Sequence, residues 1–360
     1  MKTSKTKYTT IAAICVIAVV VATTVLAGCE QGVSTPGENQ GTDQSTLFDE
    51  NTIKQFQELK NKPAGIYPVK VTGTIEYYYQ LVRFLEDLEL PANVLIDLDL
   101  SGISTQSSHT IGGFNHYLWC KNFNTVTLPS FITTLGDSAF TGSTNLKEIK
   151  GIEQVTSIGE NVFSGCTKLE TITLNDQLKI IEERAFYGCT SLKEITLPNS
   201  INTIGSEAFS GCTSLTTIKA EGEYTSSGGE GIRYDAFSEC NSLKSVTIPK
   251  SIETVDGFDK SRTKAEYLTS VTLQEGNKTI AYNAFRDTGL AAIEIPASVT
   301  SIEQSAFVGC DKLTSITFKD TTGWKKKQDP QTITVTEPST NAQKLRTFAD
   351  DWAMGIYKSE

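Results

Sequence analysis

The chain has 360 residues, a formal net charge of −10 and 38% hydrophobic residues, which is enough for one large domain or two ordinary ones. An acidic chain repels phosphate backbones and anionic headgroups, so the composition argues against nucleic-acid binding. Its one basic run, Trp324–Lys327, has three lysines and is typical of a solvated loop. We therefore expect no nucleic-acid partner.

The first 28 residues have the three parts of a secretory signal. Three lysines precede an apolar stretch, Ile11–Val25, which ends in the residues "LAGC" at Leu26–Cys29. These four residues resemble the bacterial lipobox, in which a lipid is attached to the cysteine after cleavage. The alternative is an uncleaved membrane anchor, but the apolar run is short for the roughly 20 residues of a spanning helix. The sequence predicts a signal peptide at 1–28, lipid attachment at Cys29 and export to the bacterial surface.

The segment that follows is polar at first and then becomes periodic. Residues 29–46 are rich in Gly, Ser and Thr and are predicted to be a flexible tether. Residues 47–116 are predicted to form a small α/β cap that contains a βαβ unit. The expected elements of this cap are a helix at Leu47–Asn61, a strand at Ile66–Gly73, a helix at Ile75–Leu90 and a strand at Asn93–Gly102.

An internal repeat fills residues 117–318, with aromatic residues 21 to 28 positions apart. The aromatic column is Tyr117, Phe140, Phe163, Phe186, Phe209, Phe237, Phe258, Phe285 and Phe307. An apolar residue six positions later and a β-branched residue three positions after that give "L-x-x-I-x-L", as at Leu192, Ile195 and Leu197. This alternation is typical of a strand. A second apolar pair, as at Ile201 and Ile204, precedes the next aromatic and indicates a return segment.

No single unit could bury its apolar side alone, so neighbouring units must stack. The predicted fold is an α/β repeat protein, a solenoid of about nine turns with one parallel strand per turn. Because an open end would expose core residues, the α/β segment and residues 319–360 are predicted to cap the two ends. In the second cap, "QTITVT" indicates a strand and the residues after it a short helix.

The units resemble one known repeat family closely. "AFYGCTSLKEITLPNSINTIGSEAF" is similar to the BspA-like, or Treponema pallidum-type, leucine-rich repeat, and the flanking "VLIDLDLSG" and "TTGW" resemble lipoproteins that carry such repeats. The resemblance implies a surface-exposed adhesin that binds a protein or glycan on a host or bacterial surface. Three units depart from the pattern: the Phe258 unit lacks Gly-Cys, Ala220–Gly231 lengthens another, and the Phe285 unit is shortened at "RDTGL".

Six cysteines each follow a column aromatic by three residues, and other units have Ser or Thr there. In stacked turns their Cβ vectors would run parallel, about 4.8 Å apart rather than the ~3.8 Å of a disulfide, so we expect free, buried thiols that pack as small apolar groups. These cysteines are Cys120, Cys166, Cys189, Cys212, Cys240 and Cys310.

The sequence contains none of the common catalytic or phosphate-binding motifs, and we expect no cofactor and no enzyme activity. A zinc site at His109, His116 and Cys120 is the weaker interpretation, because the cysteine belongs to the packing column. Carboxylates such as Glu148 and Glu194 fall at solvated positions rather than in a catalytic pair. The alternative function is a surface enzyme with its active site in the N-terminal α/β segment and the repeats as a targeting module.

The outward positions of the predicted strands hold mostly threonine. Stacking would align them into a stripe, which is our candidate binding face, although threonine is favoured in strands anyway. Ice binding by "T-x-T" rows is a minor alternative, since lysine and glutamate interrupt them. The residues of the stripe are Thr127, Thr173, Thr196, Lys219, Thr247, Thr272 and Thr317.

Overall fold

A computed structural model describes residues 50–74, 90–104, 110–111, 121–221, 231–259, 267–327, 338–346 and 355–358, all within the compact unit Thr46–Glu360. Several predictions fall outside these residues. They concern the signal peptide with Cys29, the tether, the helix expected at Ile75–Leu90, the strand expected in "QTITVT", and His109, His116, Tyr117 and Cys120.

The N-terminal segment forms a helix, Glu50–Leu59, which lies within the predicted range and ends two residues earlier than predicted. Two long strands, Gly65–Thr74 and Val94–Ser104, run parallel, as expected for the two strands of a βαβ unit. The second of them also pairs in parallel with Phe123–Thr127, the first strand of the repeats. The N-terminal strands therefore continue the sheet of the repeat array.

The array is a parallel solenoid of about eight turns, which confirms the predicted fold class. Each turn contributes a strand to one side, which we call the strand face. The strands of this side form three sheets: Gly65–Thr74, Val94–Ser104, Phe123–Thr127 and Glu148–Lys150; Glu194–Pro198, Thr217–Glu221, Ser245–Thr247 and Ser270–Thr272; Ala292–Ile295 and Ser315–Phe318.

The predicted return segments form a second, parallel side built of two-residue strands. These strands are Thr110–Ile111, Thr134–Leu135, Ser157–Ile158, Ile180–Ile181, Thr203–Ile204 and Gly231–Ile232 in one sheet, and Thr254–Val255, Thr279–Ile280 and Ser301–Ile302 in another. Their inward residues, such as Ile181 and Ile204, are fully buried. The core thus lies between the two strand layers.

The aromatic column fills that core as a continuous stack. From Phe140 to Phe307 the rings of successive turns lie face to face, with centroids between 4.7 Å, for Phe237 and Phe258, and 5.7 Å, for Phe140 and Phe163. Stacked aromatic rings at this spacing attract each other, which adds to the stabilisation from burying their apolar surface. The stack holds neighbouring turns in register and so keeps the strands of the strand face aligned.

The five described cysteines of the column are free and buried. They are not merely apolar fillers, because each thiol donates a hydrogen bond to the carbonyl of the column aromatic one turn earlier. The Sγ–O distance is 3.2 Å from Cys212 to Phe186 and 3.0 Å from Cys310 to Phe285. Ser143 and Thr288 are buried at the equivalent positions of two other turns, so a small side chain with a polar hydrogen suits these turns as well.

The prediction of one strand in every turn is wrong at one place. The segment Thr171–Leu174 forms no strand, and Ile172 is only partly buried. The ladder is stretched here, since Glu170 N lies 3.3 Å from Lys147 O and Lys193 N lies 3.5 Å from Glu170 O. This turn separates the first sheet of the strand face from the second, so eight of the nine predicted repeat units contribute a strand.

The C-terminal segment contains the predicted short helix, Pro338–Arg346. Asn341 Nδ2 in this helix donates to the carbonyl of Ile316 at 3.0 Å, so the helix covers the last strand of the array. The basic run is not the solvated loop that we predicted, because Trp324–Lys326 is a strand with a fully buried Trp324. It pairs antiparallel with Ile356–Lys358, which in turn pairs with Ser301–Ile302.

Candidate functional site

The strand register places the candidate stripe residues side by side. Thr127 lies opposite Lys150 on the adjacent strand, and Thr196 lies opposite Lys219. Thr247 lies opposite Thr272 on the next two strands of the same sheet. Since alternate residues of a strand share one face, these side chains all project from the strand face. The structure therefore brings the predicted residues into rows, although the rows belong to three separate sheets.

The stripe residues differ in how much solvent they meet. Thr173, Thr196, Thr272, Thr317 and Lys219 are exposed. Thr127 and Thr247 are half-buried, so they offer less contact area to a partner. Thr173 lies on the segment that forms no strand, and its position is therefore not fixed by a sheet ladder.

A second row of hydroxyl groups runs beside the stripe. Ser245 lies opposite Thr217 on one side and opposite Ser270 on the other. The Ser245 and Thr217 hydroxyl oxygens are 3.4 Å apart, within hydrogen-bond distance. Together with Thr247 and Thr272 they form a patch of five hydroxyl groups without a charge. Such a patch can donate and accept hydrogen bonds to amide or hydroxyl groups of a ligand.

Charges on the strand face are mostly paired across turns. Lys219 Nζ lies 3.0 Å from Glu194 Oε2, and Lys319 Nζ lies 3.0 Å from Glu294 Oε1. The Glu294 carboxylate and its hydrogen bond raise the pKa of Lys319. Lys219 is therefore an ion-pair partner as well as a stripe residue. Exposed pairs of this kind add little stability, but each pair cancels the charges of its two residues.

The strand face also extends beyond the predicted stripe. On strand Val94–Ser104 the outward residues Asp97 and Asp99 continue the rows formed by Thr125 and Thr127. Lys70 of the preceding strand lies 3.5 Å from Asp99, and the Ser101 amide donates to the same carboxylate at 2.8 Å. The alternation in "VLIDLDLSG" is the signal that could have added these residues to the candidate face.

The buried thiols offer no nucleophile. Burial raises the pKa of Cys166 to about 12 and that of Cys310 to about 11, so both remain protonated at neutral pH. Burial also raises the pKa of Cys189. Because the thiolate is the reactive form, these side chains act in packing rather than chemistry.

Within the described part of the chain, no group of three or more His, Cys, Asp or Glu residues could hold a metal ion. The zinc interpretation at His109, His116 and Cys120 lies outside that part. Among the described helices, none is long and apolar enough to cross a bilayer.

The repeat model that matches this chain decides its family. The BspA type leucine rich repeat region matches residues 110–230 and 230–325, with six copies, and so spans more than half of the chain. The chain belongs to the BspA-type leucine-rich repeat family. The family resemblance inferred from "AFYGCTSLKEITLP" is thereby confirmed. No curated protein sequence matches the chain.

Solved structures of bacterial repeat proteins are similar to this BspA-type chain. A leucine-rich repeat protein from Bacteroides ovatus is 23% identical, with a TM-score of 0.46 over 71% of this chain and 67% of that one. A leucine rich cell surface protein from Faecalibacterium prausnitzii is 22% identical, with a TM-score of 0.34 over 72% and 87%. The T. pallidum leucine rich repeat protein is 22% identical, with a TM-score of 0.30 over 71% and 91%.

Proposed function

We propose that this chain is a lipid-anchored, adhesin-like protein of the bacterial surface that binds a protein or glycan ligand through the strand face. The observation that carries the proposal is the alignment of exposed hydroxyl groups along that face, with Thr196, Thr272 and Thr317 projecting from the same side of the array. Repeated hydroxyl groups on a rigid scaffold favour many weak contacts that add up to specific binding.

The paired charges support a binding surface rather than a catalytic one. A catalytic pair of carboxylates needs groups whose environments drive their pKa values apart. On the strand face the Glu194 and Glu294 carboxylates instead lie against lysines at 3.0 Å and are exposed to solvent. We therefore propose a binding role and no enzymatic activity for this face.

The anchor completes the proposal. Cys29, in the "LAGC" motif, would carry the lipid, and the polar residues after it would act as a tether. Replacing Cys29 by alanine should release the protein from the membrane fraction and abolish incorporation of labelled palmitate. Palmitate incorporation in the Cys29→Ala variant would contradict lipidation at this residue.

A binding experiment with two matched variants tests the face. In one variant the exposed Thr173, Thr196 and Thr272 are changed to glutamate. In the control, three exposed threonines away from the strand face, Thr156, Thr213 and Thr300, are changed in the same way. Both variants gain the same charge, so a general electrostatic effect cancels.

The measurement is capture of host-matrix and bacterial-surface proteins on the immobilised chain, followed by affinity measurement for each identified partner. We expect the strand-face variant to lose its partners and the control to keep them. If both variants bind equally well, the strand face is not the binding surface.

A further inference from the structure

The corner that leads from the second strand layer to the aromatic column is shorter in one turn than in its neighbours. Val255 pairs with Ile280 of the next turn, and both residues are buried at the same inward position. Phe285 follows Ile280 by five positions, but Phe258 follows Val255 by only three. The turn of Phe237 has the longer spacing as well. The Phe258 turn therefore leaves a notch in this corner of the solenoid, between two longer corners.

Backbone contacts hold the short corner in place on both sides. The Gly257 carbonyl accepts from the amide of Phe237 in the preceding turn at 3.2 Å, and the Val255 carbonyl accepts from the amide of Ala281 in the following turn at 2.9 Å. Gly257 has a φ of 82°, and a Cβ atom there would lie 2.9 Å from the carbonyl oxygen of Arg233. A side chain at this position would push the two turns apart. The glycine thus lets the short corner lie deep in the notch.

Exposed tyrosines stand on both sides of the notch. Tyr234 and Tyr282 occupy the same place in the two longer corners, three residues before Phe237 and Phe285. Tyr234 is 53% exposed and Tyr282 is 57% exposed, the highest fractions among the large hydrophobic residues of the described chain. Because they are two turns apart, their backbones are separated by ~10 Å, about twice the spacing of adjacent strands. The notch is therefore open to solvent and has an aromatic wall on each side.

A carboxylate lies at the floor of the notch. Asp256 belongs to the short corner and is only partly buried, and its Oδ1 atom accepts from the Gly257 amide at 2.7 Å. Burial raises the pKa of Asp256, and the hydrogen bond from Gly257 opposes that rise. The negative charges of Asp259 and Asp235 act in the same direction as burial. A cation bound beside Asp256 would offset both the burial and the repulsion.

Basic residues beside the two tyrosines are directed elsewhere. Burial raises the pKa of Glu182, and Arg233 opposes that rise, so the charge of Arg233 lies towards the earlier turns and away from the notch. Arg286 Nε lies 3.4 Å from Asp287 Oδ2. The described carboxylates around the notch therefore favour a positively charged ligand.

We propose that the notch binds a small quaternary ammonium ion between Tyr234 and Tyr282, with Asp256 as its counter-charge. A cation midway between walls ~10 Å apart lies ~5 Å from each ring, within the ~6 Å over which cation–π attraction acts. A planar guanidinium group in contact with two rings needs walls only about 7–8 Å apart, and a primary ammonium is strongly hydrated. The site lies outside the strand face, so it does not depend on the proposed function.

The carboxylates also favour one source of this cation. A phosphatidylcholine headgroup carries its phosphate close to the ammonium group, and Asp256, Asp259 and Asp235 would repel that phosphate. A choline ion has no negative group and avoids this repulsion. We therefore expect a soluble cation rather than a lipid headgroup.

Titration of tetramethylammonium into the whole protein at about 0.15 M salt, followed by saturation-transfer NMR, tests the site. Tyr282→Leu keeps apolar bulk but removes the ring, and it should lose at least about fivefold in affinity, whereas Tyr282→Phe should stay within about twofold. Asp256→Asn keeps an oxygen for the Gly257 amide and should lose about threefold or more. On the unmodified protein, choline should bind at least about fivefold more tightly than 3,3-dimethylbutanol, its uncharged analogue of the same shape.

The matched control is Tyr187→Leu, because Tyr187 is 41% exposed on a turn away from the notch. It should bind tetramethylammonium within about twofold of the unmodified protein, and melting curves check that every variant is folded. Equal losses for Tyr187→Leu and Tyr282→Leu would overturn the site, as would equal binding of choline and its uncharged analogue. Phosphatidylcholine vesicles that bind as tightly as choline, in a manner that depends on Tyr282, would overturn the choice of a soluble cation.

Discussion

Replacing Phe209 by alanine should destabilise the array more than any comparable change at the surface. Phe209 is fully buried, and its ring stacks on Phe186 at 5.0 Å and on Phe237 at 5.3 Å. The substitution removes a large apolar side chain, leaves a cavity and breaks two aromatic contacts. Because each turn is stabilised only by its neighbours, the loss affects both adjacent turns.

The expected cost is about 4 kcal/mol of unfolding free energy, the middle of the range for buried phenylalanine truncations. With an m value of about 2.5 kcal/mol per molar urea, the midpoint of unfolding should fall by about 1.5 M. Circular dichroism during a urea titration measures this shift. Phe209→Leu keeps most of the apolar volume and should cost less than about 1.5 kcal/mol.

The control is Tyr282→Ala, since Tyr282 is an aromatic residue of the same array but is 57% exposed. Its replacement should change stability by no more than about 0.5 kcal/mol. A loss for Phe209→Ala that is as small as that for Tyr282→Ala would refute the claim that the aromatic stack holds the turns together.

Three further predictions concern the thiols, a backbone turn and the irregular segment. Burial raises the pKa of Cys166 to about 12 and that of Cys310 to about 11, so both thiols should resist iodoacetamide at pH 8 in the folded protein and react fully in denaturant. Mass spectrometry that detects modified thiols in the folded protein, or disulfide-linked peptides, would contradict this prediction. Glu239 has a φ of 56°, and most other turns have glycine at the equivalent position. Glycine adopts this conformation without strain, so Glu239→Gly should raise the free energy of unfolding, measured by urea titration, by about 1 kcal/mol. A loss of stability would contradict the expected strain. Amides of Thr171–Leu174 should exchange with deuterium faster than those of Glu194–Leu197, which belong to a regular ladder. Equal protection of the two segments would show that the ladder is intact at Thr171–Leu174.

Much of the fold follows from local chemistry in the repeat. The alternation around Ile195 predicts both the strand and its inward residues, because side chains of a strand alternate between its faces. The sequence of Phe186, Cys189 and Leu192 predicts core positions, and all three are fully buried. The thiol hydrogen bonds could not be predicted this way, since they depend on the carbonyl of a residue one turn earlier.

The departures arise from spacing between turns, which periodicity does not determine. Ile172 occupies the correct place in the pattern, yet the ladder beside it is too long for a strand to form. The Phe285 unit is one residue short before Ile293, and the strand face is interrupted between Thr272 and Ala292. The hydrogen bond from Asn124 to Asp97 could not be predicted for a related reason, because it depends on a shift of the pairing register between Ile96 and Asp97.

The most direct test of the central claim is photo-crosslinking to a bound partner. A photoreactive phenylalanine analogue replaces Thr196 on the strand face in one variant, and Ile180 in the second strand layer in another. Ile180 is 39% exposed, so both probes meet solvent. We predict that the partner crosslinks to the probe at position 196 and not to the probe at position 180. Crosslinks from position 180 alone would contradict binding through the strand face.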